Sequence, residues 1–321
     1  MKKRAILLLG LIVTVTAIKA QFMVPNEKKA KAVSGRTLIV RLDEPDYQLL
    51  RKYRKDPKKT AKYKADVEKH NELLMSCIKK YWQLNEHVVF ETGLKADDKA
   101  RADKTGKYVV LYGEDDYEVT RTTKRVIKHA CYKVKLRLGE NNKPLFSVSL
   151  PSDALTQVDY KFICRQFDKY VTAGAQGIST KKMWDVEGNL RIMAQKTLVL
   201  PKNIMALSER EAREVYPREL SYVEDMKVID KRILAGDDDF IFLTLIWSYI
   251  KDNYLFAAVD ASTMDIVALL GTGSFNLSFS VPIDAALVDV WSYRSALKLK
   301  EKHLKYLSSR KAMEKNNHCM F

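Results

Sequence analysis

Three cations alternate along one apolar run. Between His129 and Leu138, Lys133, Lys135 and Arg137 occupy every second position, and Tyr132, Val134, Leu136 and Leu138 occupy the others. Alternation with period two marks a strand with one apolar face, and side chains on one strand face recur about every 6.6–6.8 Å. That spacing suits rows of anionic charge on a lipid or polysaccharide surface. Lys133, Lys135 and Arg137, extended upstream by Lys124, Arg125 and Lys128, therefore form the candidate polyanion-binding set. The competing use of such a face is structural, as solvated surface or as charge that keeps a sheet edge from pairing with other chains. A second basic cluster holds Arg51, Lys52, Arg54, Lys55, Lys58, Lys59, Lys62 and Lys64. The tyrosines interleaved with it, Tyr47, Tyr53 and Tyr63, are either interfacial contacts or the apolar sides of an ordinary helix.

The acidic and nucleophilic residues form no recognisable catalytic pattern. Asp237, Asp238 and Asp239 follow Gly236, but consecutive aspartates point in different directions and lack the alternating oxygens and later glutamate of a calcium loop. Gly271-Thr272-Gly273-Ser274 lacks both the third glycine of a phosphate loop and the pattern of a nucleophile elbow. His70, His87, His129, His303 and His318 are scattered. His129 and Cys131 share a strand face, which is two ligands where structural zinc takes four, so no metal and no cofactor is expected. If the chain is a hydrolase, its site must be assembled in space, and Asp237, Asp239, Asp260 and Ser274 are the first residues to test. Cys77 and Cys164 fall on apolar helical stripes as small core residues, and Cys319 lies in the tail; sequence does not choose among the pairings of Cys77, Cys131, Cys164 and Cys319.

The N-terminus sets the compartment. Lys2, Lys3 and Arg4 precede an apolar stretch from Ala5 to Ile18 that Lys19 closes, which has the layout of a cleavable signal peptide and is shorter than the roughly 20 residues needed to span a bilayer. Cleavage is expected after Ala20, with Ala17 as the alternative. Loss of Lys2, Lys3, Arg4 and Lys19 lowers the formal charge from +16 to +12. Outside the cytoplasm, in the periplasm or beyond the cell, such a surplus favours anionic envelope lipid, polysaccharide or an envelope protein as partner, and nucleic acid is not expected. No later run is long enough for a membrane helix.

The elements that must position these side chains come in two similar series. Residues 21–36 are basic and unpatterned, a flexible tether. From Thr37 to residue 174 the order is a strand, helices around 45–56 and 60–82, strands at His87–Glu91, Tyr108–Tyr112, His129–Leu138 and Leu145–Leu150, then a helix from about Asp153 to Val171. Residues 175–196 form a linker. From Thr197 to residue 313 the order begins again: a strand, a helix from Ser208 with Glu211 completing a capping box, a helix over 219–234, strands at Phe240–Tyr249, Tyr254–Asp260 and Ile266–Leu270, and a closing helix over 284–310. Residues 314–321 are a disordered tail. The fold expected is α+β: two similar domains, each a mainly antiparallel sheet with packed helices, laid out as an internal duplication. The function expected is that of an exported, non-catalytic binding or structural protein with a basic surface, the alternatives being the hydrolase above and a subunit of an envelope assembly.

Overall fold

The computed structural model describes residues 23–121, 126–151, 155–248, 253–271, 287–288 and 298–311. The signal-peptide segment, the tail, most of the Gly271–Ser274 turn and Lys124 and Arg125 lie outside them.

The described chain is α+β and contains two sheet units of the same design. In the first, β1 (Thr37–Leu42), β2 (Val88–Thr92), β3 (Tyr108–Arg121), β4 (Val126–Leu138) and β5 (Phe146–Leu150) lie in the order β2-β1-β3-β4-β5. In the second, β6 (Thr197–Pro201), β7 (Leu220–Val223), β8 (Phe240–Ser248), β9 (Asn253–Asp260) and β10 (Ile266–Gly271) lie in the order β7-β6-β8-β9-β10. The senses match as well. The first strand of each unit is parallel to both neighbours, and the later strands follow as antiparallel hairpins. Each sheet is thus mixed, because the connections carrying β1 to β2 and β2 to β3 contain helices long enough for parallel crossovers.

The registers align the units residue by residue. Thr37 is opposite Tyr108, and Thr197 is opposite Phe240. Asp115 is opposite Tyr132, and Trp247 is opposite Tyr254.

The helices follow the same repeat. In the first unit α2 (Tyr47–Tyr53) and α3 (Pro57–Tyr81) follow β1, α4 (Gly93–Ala102) joins β2 to β3, and α5 (Gln157–Ala175) follows the hairpins. In the second unit α8 (Glu209–Val215), α9 (Met226–Leu234) and α10 (Glu301–Ser308) take the corresponding places. Leu38, Val40, Leu111 and Leu136 on one face of the first sheet share a single core with Cys77 and Ile78 of α3, with Ile163 and Phe167 of α5, and with Val199, Phe242, Leu255 and Val259 on the near face of the second sheet. The far face of the second sheet is covered by α7 (Val186–Gln195), α8 and α10. With α4 on the outer face of the first sheet, where Ala96 and Ala100 pack on Ile39 and Val110, the order of layers is helix, sheet, helices, sheet, helices.

Several expectations change. The supposed tether contains α1 (Glu27–Lys31), and Ala30 and Val33 are fully buried. Contact with α5 orders it: a Cβ on Gly174 would lie 2.8 Å from the Pro25 carbonyl oxygen, so glycine permits the approach. The linker segment contains α6 (Thr180–Met183) and α7, whose Met193 is buried. The helix expected over 219–234 is β7 followed by α9, divided where Asp225 caps the helix through the amide of Lys227. The helix expected from about Asp153 starts at Gln157, with Thr156 as its N-cap in a capping box with Asp159. Of the long closing helix, α10 covers only Glu301–Ser308, and β11 (Leu287–Val288) runs parallel to β4 at Lys128 and His129.

Candidate functional site

The most developed polar site lies at the carboxyl end of β1, beside Gly113–Asp115 in the middle of β3, where the parallel part of the first sheet opens into a cleft of about 440 Å³. Such crevices at strand carboxyl ends are the usual ligand positions of parallel sheets. The chain leaves β1 at Leu42 and turns through Asp43 and Glu44. Asn71 of α3 fixes this turn: the Asp43 amide donates to Asn71 Oδ1 and Asn71 Nδ2 donates to the Asp43 carbonyl, both at 2.9 Å. Asp46 caps α2 by accepting from the Leu49 amide at 2.8 Å, and its own amide donates to the Tyr63 hydroxyl at 2.9 Å.

Two buried tyrosines with half-buried His70 and Asp43 form the floor. His70 Nε2 lies 3.1 Å from the Tyr132 hydroxyl, 3.3 Å from the Tyr160 hydroxyl and 3.5 Å from Asp43 Oδ2. Tyr132 reaches it across Gly113, where a Cβ would stand 1.9 Å from the phenolic oxygen, so no other residue fits there without moving the tyrosine. Burial pushes the proton affinity of both phenols far up, and they act as neutral hydroxyls. Burial also raises Asp43 above the ordinary carboxylate range, against the opposing charges of His70 and Arg41. Arg41 also lines the cleft and is held there by the Gly113 carbonyl at 3.4 Å, by Asp97 at 3.5 Å and by stacking over Tyr112 at 4.7 Å.

The second feature is a basic helical hairpin. Asp56 caps α3 through the Lys59 amide and Pro57 opens its first turn, the chemistry expected for a sharp restart. Although α3 has 25 residues, its buried ones are Leu74, Cys77 and Ile78, all in its last third, and α2 has none. The two helices lean on each other through half-buried positions, with the rings of Tyr53 and Tyr63 edge to face at 6.1 Å. Arg51, Lys52, Arg54, Lys55, Lys58, Lys59, Lys62 and Lys64 are all exposed.

The cation ladder of β4 is present, and each of its three cations faces a carboxylate. Lys133 meets Asp116 at 2.6 Å, Lys135 pairs with Glu114, and Arg137 meets Asp97 at 2.7 Å, with Lys133 and Arg137 buried. The carboxylates stand on β3 and α4, one strand or one helix away, which spacing along β4 alone could not reveal. Lys128 is placed by its backbone, opposite Val119.

The proposed hydrolase residues have structural partners. Asp237 accepts from Arg232 Nε at 2.6 Å. Asp260 is buried and holds Lys196 at 2.7 Å, while Asp239, 3.5 Å from the same ammonium, is exposed. Neither described cavity includes them, and Ser274 lies outside the described residues. Among the described residues no three His, Cys, Asp or Glu side chains converge as a metal site. Cys77 and Cys164 are buried free thiols, both raised by burial, with Cys77 adding to the effect at Cys164.

Sequence reasoning missed the cleft residues Asp43, His70, Gly113, Tyr132 and Tyr160. One signal was present, since a glycine inside a strand run commonly marks a close approach; the convergence of α3, α5 and β4 on His70 had none. Compared with protein-family models, curated proteins and solved structures, the chain has no significant match.

Proposed function

We propose that the chain is an exported, non-catalytic binding protein that attaches to anionic phospholipid surfaces through the α2–α3 hairpin. The observation that carries this reading is the exposure of the cations. Residues 47–69 hold nine Lys or Arg against three carboxylates, and among the eight cations of the Arg51–Lys64 run only Lys59 has a carboxylate partner, Asp56 at 3.5 Å. Each such charge near an anionic membrane surface contributes about 1 kcal/mol. Tyr47, at 77 % exposure, offers an aromatic ring suited to the headgroup region. Among the described residues no helix is long and apolar enough to cross a membrane; the attachment proposed is peripheral.

Sedimentation with phosphatidylglycerol-containing vesicles tests the reading. Binding is expected at low ionic strength and is expected to weaken as the screening length falls from about 30 Å at 0.01 M to about 8 Å at 0.15 M salt. Lys52→Glu, Lys55→Glu, Lys58→Glu and Lys62→Glu together should abolish it. The same charge change at the exposed Lys181, Lys182, Lys227 and Lys302 should leave most of it. Equal loss from both sets, or no binding at low salt, overturns the assignment. The export half fails if the native product is intracellular and still carries residues 1–20.

A further inference from the structure

We propose that the cleft at the carboxyl end of β1, beside Gly113 in the middle of β3, binds a small organic cation, a ligand with a primary ammonium or guanidinium group, on a floor made by Asp43, His70 and Tyr132. The first support is the contrast between the two units. Register places Gly113 and Asp115 at the positions that Leu245 and Trp247 hold in the second sheet, and Tyr132 at the position of Tyr254. In the second unit Leu245 and Trp247 are buried, and the Trp247 ring packs on Tyr254 at 5.1 Å. The fold therefore fills this place with apolar side chains when nothing else is required. In the first unit a glycine and an aspartate keep it open and polar, at a volume of about 440 Å³, within the range of roughly 300–1,000 Å³ typical of small-ligand sites.

The second support is the hydrogen-bond inventory of the floor. His70 Nε2 carries either one proton or one lone pair, yet it faces Tyr132, Tyr160 and Asp43. When it accepts from a tyrosine it has nothing to give Asp43. The Asp43 carboxylate then lacks a side-chain donor closer than 3.5 Å among the described residues, although it is desolvated enough to raise its proton affinity. A carboxylate in that condition gains most from a charged donor. Glu44, Asp46, Asp66 and Asp115 stand on the same lining and outnumber its one cation, Arg41, which is paired with Asp97 and stacked on Tyr112.

The test is an NMR titration of the full mature chain, selectively labelled at histidine, with agmatine and cadaverine as probes and glutarate as the anionic control. A saturable shift of the His70 ring signals with either cation is expected. Asp43→Asn, which preserves volume and removes the charge, should weaken it by about tenfold to a hundredfold. Asp237→Asn, on an exposed turn, should not change it. Gly113→Ala should also abolish the shift by displacing Tyr132; should that variant fail to fold, Asp43→Asn carries the decision. No saturable shift at millimolar probe, equal affinity in folded Asp43→Asn, or equal binding of glutarate overturns the proposal. Vesicle binding by the hairpin does not depend on this result.

Discussion

Asp43 is a half-buried carboxylate whose ionisation burial opposes. Its carboxyl is raised above 3.8 because burial outweighs the attraction of His70 and Arg41, so the folded state holds that proton more tightly than the unfolded chain does. The resulting penalty is absent below the unfolded value and complete once pH has risen through the folded one. Asp43→Asn is therefore expected to stabilise the protein at pH 7, by on the order of 0.5 kcal/mol, the low end for single stabilising substitutions. Denaturant melts at pH 7 and pH 3 check it: the gain should vanish at the lower pH, and a loss at pH 7 would show that pairing with His70 dominates. A residue kept at such a cost is expected at a working site. Legibility differed by residue for a physical reason. Cys77 and Cys164 were readable as core from helical periodicity alone, because burial on a helix face is a local property. Lys133, Lys135 and Arg137 were readable as a shared face but not as ion pairs, because Asp116, Glu114 and Asp97 lie on other elements.

Among the elements, α5 does the most joining. Eleven of its residues are buried, and its amphipathic repeat serves the first sheet on one side and the second unit on the other. Phe167 is fully buried between Trp82 and Phe146, at ring distances of 5.7 and 5.1 Å. On the side facing the second unit, Gln166 Nε2 donates to the Met264 carbonyl at 2.7 Å. Arg165 grips Asp265 with two hydrogen bonds, at 3.2 and 3.1 Å, and Lys169 adds an ion pair at 3.1 Å. Burial opposes ionisation of Asp265, but the two cations together outweigh it and hold the carboxyl below its ordinary range. A depressed folded value adds stability that is present above the unfolded value and is lost as pH falls through the folded one. Asp265→Asn should thus cost about 1.5–3 kcal/mol at pH 7, the worth of hydrogen bonds to a charged group. In urea melts the difference from the parent chain should shrink steadily below about pH 4, where the free carboxyl gains its proton; a constant difference down to pH 2 would assign the loss to packing. The sequence pattern placed α5 as a helix within a few residues, but it had no means of showing that its polar edge clasps the β9–β10 turn.

Across the whole molecule, the repeat explains why the same strand position is cationic in one unit and apolar in the other. Lys133, Lys135 and Arg137 correspond in register to Leu255, Ala257 and Val259, which belong to the shared core. The equivalent face of the first sheet meets no preceding unit among the described residues, only α4, and carries paired charges where the second sheet carries hydrocarbon. Polar end faces are how stacked repeats terminate. The same geometry bears on domain organisation, because the core containing α3 and α5 also contains Phe240, Phe242, Leu255 and Ile266 of the second sheet. Residues 23–175 expressed alone would leave the outward side of α5 bare, an apolar patch of the kind that drives association. The full chain should then unfold in one transition by fluorescence at Trp82 in the first unit and at Trp247 in the second, observed separately in chains that retain one tryptophan each. The isolated 23–175 segment should bind hydrophobic dye and melt without cooperativity. Two separated transitions in the full chain, with a cooperative melt of the segment, would mean that each sheet and its helices fold independently and that the shared core forms by docking.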